Sequence, residues 1–132
     1  MEKLNKALLS LLGLKIEKTH TPSEILRVII NEKEKYDIND NITEIILKLL
    51  KLSSFFENEG TKTRYGMFIE KKLVIAEELY KNFEDIKDFI TYFLEMVELY
   101  LILFETVFKI NEKNVQDFKK FKKYIKKLKK WV

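Results

Sequence analysis

Residues 89–108 read FITYFLEMVELYLILFETVF, a run whose only charged positions are Glu95, Glu98 and Glu105. The stretch is long enough to cross a bilayer as a helix, so its reading decides between a membrane segment and a core helix. Each acid at mid-membrane costs roughly 2.5–3.5 kcal/mol, so the three together cancel most of the gain from the apolar residues. On a helix, Asp88, Thr91, Glu95, Glu98 and Glu105 share one face. A buried bundle helix with a narrow wet stripe accounts for that pattern, and a membrane-spanning role is not expected.

The rest of the 132-residue chain agrees. Three glycines and one proline provide too few turns for an all-β fold, which needs one roughly every 8 to 12 residues. The length suffices for one core without staples. The absence of cysteine removes a disulfide scaffold, a thiolate metal site and a cysteine nucleophile together. The expectation is an all-α antiparallel helical bundle of five to six helices with a basic C-terminal amphipathic helix. Residues 1–112 form the bundle domain, and 113–132 form a basic helix packed on it or extending from it.

Helices are expected over about Lys3–Leu14, stopped near Gly13; Pro22–Lys35; Ile42–Asn58, ended by Gly60; one within Phe68–Lys81; Phe83–Ile110; and Val115–Trp131. The clearest local signal is Thr21-Pro22-Ser23-Glu24. Thr21 and Glu24 have the spacing of a capping box, and Pro22 sits where its missing N–H is harmless. Tyr36–Asn41 reads as a polar loop, with Asp40 or Asn41 capping the third helix. Thr61–Gly66 reads as a short basic loop, and Asn111–Asn114 as a break.

Charge is distributed unevenly. Residues 113–132 carry nine lysines and one acid, Asp117, a local charge of +8, whereas residues 1–112 carry −4 within a chain of +4. On a wheel at about 100° per residue, Phe118, Phe121, Tyr124, Ile125, Leu128, Trp131 and Val132 share an arc. Lys119, Lys120, Lys122, Lys123, Lys126, Lys127, Lys129 and Lys130 fill the opposite one. The lysine arc reads as a solvated face, as a site for phosphates of RNA or DNA, or as one side of a membrane-surface or partner helix. With no arginine in the patch, nucleic-acid binding through it is non-specific and salt-sensitive.

Residue chemistry argues against an enzyme. His20 is the only histidine, which excludes a His pair for zinc or for two-histidine acid–base work. Acidic pairs such as Glu77/Glu78 and Glu95/Glu98 have the spacing of ion-paired helix faces. There is no Gly-rich phosphate loop and no nucleophile elbow, and neither a metal nor a cofactor is implied. Abundant Lys and Glu fit a thermophile, although asparagine is not depleted. The start, Met1-Glu2-Lys3-Leu4, lacks the apolar core of a signal peptide, so the expected location is cytoplasmic.

Two segments resemble a known family. Glu2-Lys3-Leu4-Asn5-Lys6-Ala7-Leu8-Leu9, then Gly13 and Lys18-Thr19-His20, looks like the second helix and following turn of HEPN-superfamily domains. Thr63-Arg64-Tyr65-Gly66 is similar to the Arg-Tyr segment such domains place before their final helices. The resemblance covers roughly residues 2 to 100. It implies a helical bundle, commonly a homodimer, often beside a nucleotidyltransferase-type protein in a toxin–antitoxin or defence setting. It makes His20, Arg64 and Tyr65 a candidate ligand site. Many members are ribonucleases that use an arginine followed, after four to six residues, by histidine. Here those positions hold Ile69, Glu70 and Lys71 after Arg64, and Glu32, Lys33 and Glu34 after Arg27. The ribonuclease inference therefore does not transfer. On this alignment the family's usual first helix is expected to have no counterpart ahead of Glu2, with the basic terminal helix as its candidate replacement. The expectation is a non-catalytic module that binds RNA, a nucleotide or a protein partner. The alternative is a small helical subunit of a larger nucleic-acid-binding assembly.

Overall fold

A computed structural model describes residues 1–15, 18–35, 37–107 and 112–132. Among these the elements are α1 (Glu2–Leu11), α2 (Pro22–Asn31), α3 (Asp40–Tyr65), β1 (Met67–Ile69), β2 (Lys72–Val74), α4 (Ala76–Leu79), α5 (Phe83–Val107) and α6 (Glu112–Lys129). The fold is an all-α helical bundle with one small antiparallel hairpin. No helix among the described residues is long and apolar enough to cross a membrane. The chain divides into two compact units, Met1–Glu57 and Asn58–Val132, and the boundary falls inside α3.

In the first unit, α1 packs on α2. Leu8, Leu9, Ile25, Leu26, Ile29, Ile46 and Leu49 are at most 1% exposed. Burying each such side chain contributes about 1.5–3 kcal/mol. Gly13 stops α1 through a Schellman turn: its own N–H reaches Ser10 O, and Leu14 N reaches Leu9 O at 2.9 Å. Its φ of +72° is the left-handed value this turn requires. The helix itself ends at Leu11, three residues short of the expected Leu14.

The start of α2 is built differently from the expected capping box. Thr21 holds the N-cap position and Pro22 follows, but the Thr21 side chain makes no cap bond. Instead Thr19 Oγ1 donates to Glu24 at 2.7 Å and accepts from Thr21 N at 3.2 Å. The Ser23 N–H is satisfied from a distance, by Glu57 Oε1 at 2.8 Å. Asn5, fully buried, donates from Nδ2 to Pro22 O at 3.0 Å and ties α1 to this turn. Helix α2 ends at Asn31, not Lys35. Asn39, rather than Asp40 or Asn41, caps α3 by accepting from Ile42 N at 2.9 Å.

Between residues 58 and 81 one expectation is overturned and another is narrowed. Gly60 does not end the third helix, because α3 continues to Tyr65 and absorbs the segment read as a loop. A mid-helix glycine costs only about 1 kcal/mol, and the Glu59–Lys62 pair spans the weak point at 2.8 Å. The fourth helix expected within Phe68–Lys81 is present but is confined to the four residues of α4, and the part of that span before it is a hairpin with Phe68 opposite Leu73 and Ile69 opposite Lys72. Glu70 and Lys71 form the turn at φ of 47° and 65°. Gly66 opens the hairpin at φ +70°, where a Cβ would collide with the Val74 carbonyl.

The second unit pairs α5 with α6. Leu94, Met96, Leu99, Tyr100 and Leu103 of α5 are buried, and the rings of Tyr100 and Phe104 stack at 6.2 Å. Helix α6 begins at Glu112, earlier than the expected Val115. The expected end of α5 at Ile110 and the start of the break at Asn111 lie outside the described residues.

Candidate functional site

Helix α6 and the face of α5 beneath it form the most distinctive surface. Lys122 pairs with Glu105, and Lys129 pairs with Glu98. The two lysines are a heptad apart, as are the two acids, in the opposite order. That order makes the helices antiparallel. It also explains the wet stripe of α5: two of its acids accept lysines from α6 rather than facing open water.

The pairing rotates α6 away from the orientation its apolar arc suggests. The stripe turned toward α5 includes Val115, Phe118, Lys122 and Ile125, and Ile125 is only 4% exposed. Phe121, Tyr124, Leu128 and Trp131 stay exposed, with Trp131 at 84%. They follow one another at i, i+3, i+7 and i+10, a single helical stripe. Its C-terminal end opens into an apolar cleft of about 530 Å³. Phe83, Ile90, Phe93 and Leu94 form one wall, and Leu128, Trp131 and Val132 form the other.

The eight lysines therefore divide into three sets. Lys122 and Lys129 are held by α5. Lys119, Lys123, Lys126 and Lys130 are exposed and lie at i, i+4, i+7 and i+11, one face along the helix. Lys120 and Lys127 are exposed between that face and the aromatic stripe. Among the described residues none of these last six has an acidic partner within ion-pair distance.

His20, Arg64 and Tyr65 divide between the two units. In the first unit, His20 is largely exposed, with Nδ1 3.0 Å from Glu2 Oε1, while Lys6 donates to the same oxygen at 2.7 Å. Those two hydrogen bonds, the lysine's first, hold the Glu2 carboxyl below its ordinary pKa. Arg64 and Tyr65 occupy the exposed last residues of α3 in the second unit. The positions where an arginine–histidine motif would place its histidine after Arg64 are the end of β1 and the hairpin turn.

A further cluster escaped the sequence reading. Glu59, 9% exposed, accepts from Lys62 at 2.8 Å and from the Tyr80 hydroxyl. Burial raises the Glu59 pKa, but the hydrogen bonds from Lys62 and Tyr80 outweigh it and leave the carboxyl below its usual range. Tyr80 moves the other way, pushed up to about 12 by burial and by the carboxylate beside it. The cluster fastens the chain after α4 to α3. No sequence signal links positions 59 and 80. Among the described residues no three His, Cys, Asp or Glu side chains are grouped to hold a metal ion.

These elements define a helical-bundle domain that carries a basic helix. Residues 1–98 match the model of the HEPN domain, and the chain belongs to that family. No curated protein and no solved structure matches it. The match ends within α5, so the basic helix α6 lies outside the span the family describes.

Proposed function

We propose that this HEPN domain acts by binding rather than by catalysis, and that Lys119, Lys123, Lys126 and Lys130 engage the phosphates of RNA. The observation that carries this reading is the row of four exposed lysines with no acidic partner among the described residues. The eleven residue steps from Lys119 to Lys130 extend about 16 Å, enough to follow several phosphates of a strand. Lysines contact phosphates as point charges and do not read bases, so the binding is sequence-independent. The failed arginine–histidine spacing supports the non-catalytic part. The same reading places the domain in a toxin–antitoxin or defence setting, as a homodimer beside a nucleotidyltransferase-type protein.

The test is RNA binding measured against salt. Single-stranded RNA is expected to bind with a log–log slope of about −3, since each of four neutralised phosphates contributes about 0.7. Changing Lys119, Lys123, Lys126 and Lys130 to Glu abolishes binding. A slope near zero, or RNA cleavage lost on His20→Ala, overturns the proposal. The large apolar exposure of the second unit favours a second reading, a structural subunit of a larger nucleic-acid-binding assembly. Under that reading the isolated chain binds no RNA even at low salt.

A further inference from the structure

We infer that the cleft between α5 and the end of α6 is a docking groove for an acidic amphipathic helix of another protein. The inference goes beyond the RNA reading and uses a different face of α6.

Shape is the first argument. The cleft of about 530 Å³ is walled by Phe83 and Phe93 on one side and by Leu128 and Trp131 on the other. Beyond the cleft the aromatic stripe continues along α6 as Tyr124 and Phe121, both exposed and outside the cleft lining. Residues 121 to 131 extend about 15 Å along the helix axis, nearly three turns. An aromatic stripe that ends in a concave apolar recess accepts a helix that inserts apolar side chains at i, i+3, i+4 and i+7. A flat lipid surface would not fill a recess of this kind.

Charge is the second argument, and it selects the partner. Lys120 and Lys127 flank the aromatic stripe on its open side. The only acid on α6 beyond Glu112 is Asp117, one turn past Phe121 and at the end opposite the cleft. A ligand helix with glutamates or aspartates beside its apolar face therefore meets lysines along most of the groove. A second copy of this chain laid in by its own α6 would bring one lysine-rich helix against another. Electrostatic complementarity of this kind governs partner choice and association rate.

Trp131 is the chain's only tryptophan and lines the cleft, so its fluorescence reports occupancy directly. The probe is a synthetic helical peptide with leucines at i, i+3, i+4 and i+7 and glutamates elsewhere. A control peptide carries lysines in place of the glutamates. The acidic peptide is expected to shift Trp131 emission to the blue and saturate, with the basic peptide at least tenfold weaker. Leu128→Glu removes the response while helical circular dichroism is unchanged. Changing Lys120 and Lys127 to Glu inverts the preference between the two peptides. The Glu variant at Lys119, Lys123, Lys126 and Lys130 keeps most of the peptide affinity, which separates this groove from the RNA face. Equal affinity for both peptides overturns the inference. So does a blue shift given by phosphatidylglycerol vesicles, by RNA or by self-association but not by the acidic peptide.

Discussion

The two units of this chain treat their apolar residues in opposite ways. In Met1–Glu57, seven large aliphatic side chains are at most 1% exposed, and Asn5 and Ser53, equally buried, have hydrogen-bond partners. In Asn58–Val132, Leu103 alone among the described large apolar residues is so deeply buried. Phe68, Phe83, Phe93, Phe121, Tyr124, Leu128 and Trp131 all face outward. A uniform 46% of apolar residues thus hides a division of labour. The first unit spends its aliphatics on its own core, and the second displays aromatics, the usual mark of a surface that another molecule covers.

Core truncation breaks or confirms that contrast most sharply. Leu26→Ala in the first unit is expected to cost about 2–5 kcal/mol, from lost burial plus the cavity left behind. Leu128→Ala in the second is expected to change stability by about 0.5 kcal/mol or less, the usual range for surface substitutions. Urea unfolding of the two variants checks both figures. Comparable losses would mean that Leu128 is covered in the isolated chain and that the groove is not open.

The next effect concerns the Glu59–Tyr80 cluster of the second unit. Tyr80→Phe removes a hydrogen bond to the Glu59 carboxylate and is expected to cost about 1.5 kcal/mol near neutral pH. Burial and the carboxylate raise the folded-state pKa of Tyr80 to about 12, so its proton is held more tightly in the folded protein. The stabilisation is therefore complete below the ordinary tyrosine value of about 10 and is lost as pH rises from there toward 12. Glu59 has the opposite sign: its folded pKa is depressed, so its contribution fades as pH falls below the usual carboxylate range. The stability gap between wild type and Tyr80→Phe should stay level through neutral pH and close on the alkaline side. A gap independent of pH would show that Tyr80 acts by packing alone.

What could be read in the sequence follows from the range of the interactions involved. Helices α1, α2, α5 and α6 were legible because their apolar periodicity and stop signals, such as Gly13 and Pro22, act within a few residues. The hairpin was not. Its turn uses Glu70 and Lys71 in left-handed backbone, where Asn-Gly is the usual signal, and its strands are three residues each. The lysine and aromatic faces of α6 were also legible, but the side that docks was not. That choice is made by Glu98 and Glu105 on another helix, 31 and 17 residues away from Lys129 and Lys122. Glu59 and Tyr80 were invisible for the same reason.

Gly60 offers the smallest and most discriminating test. A glycine followed by a polar stretch is an ordinary helix end, yet α3 runs through it, three residues beyond the boundary between the two units. A Cβ built there meets no atom within 4 Å, and the backbone is not left-handed. Gly60→Ala should therefore add no strain and should restrict the unfolded chain, stabilising the protein by about 0.5–1 kcal/mol. Hydrogen exchange should slow in the amides on either side, because the helix joining the two units loses its weakest residue. If Gly60→Ala destabilises instead, the backbone at this position leaves helical geometry in solution and the glycine is kept for a conformation that alanine does not adopt.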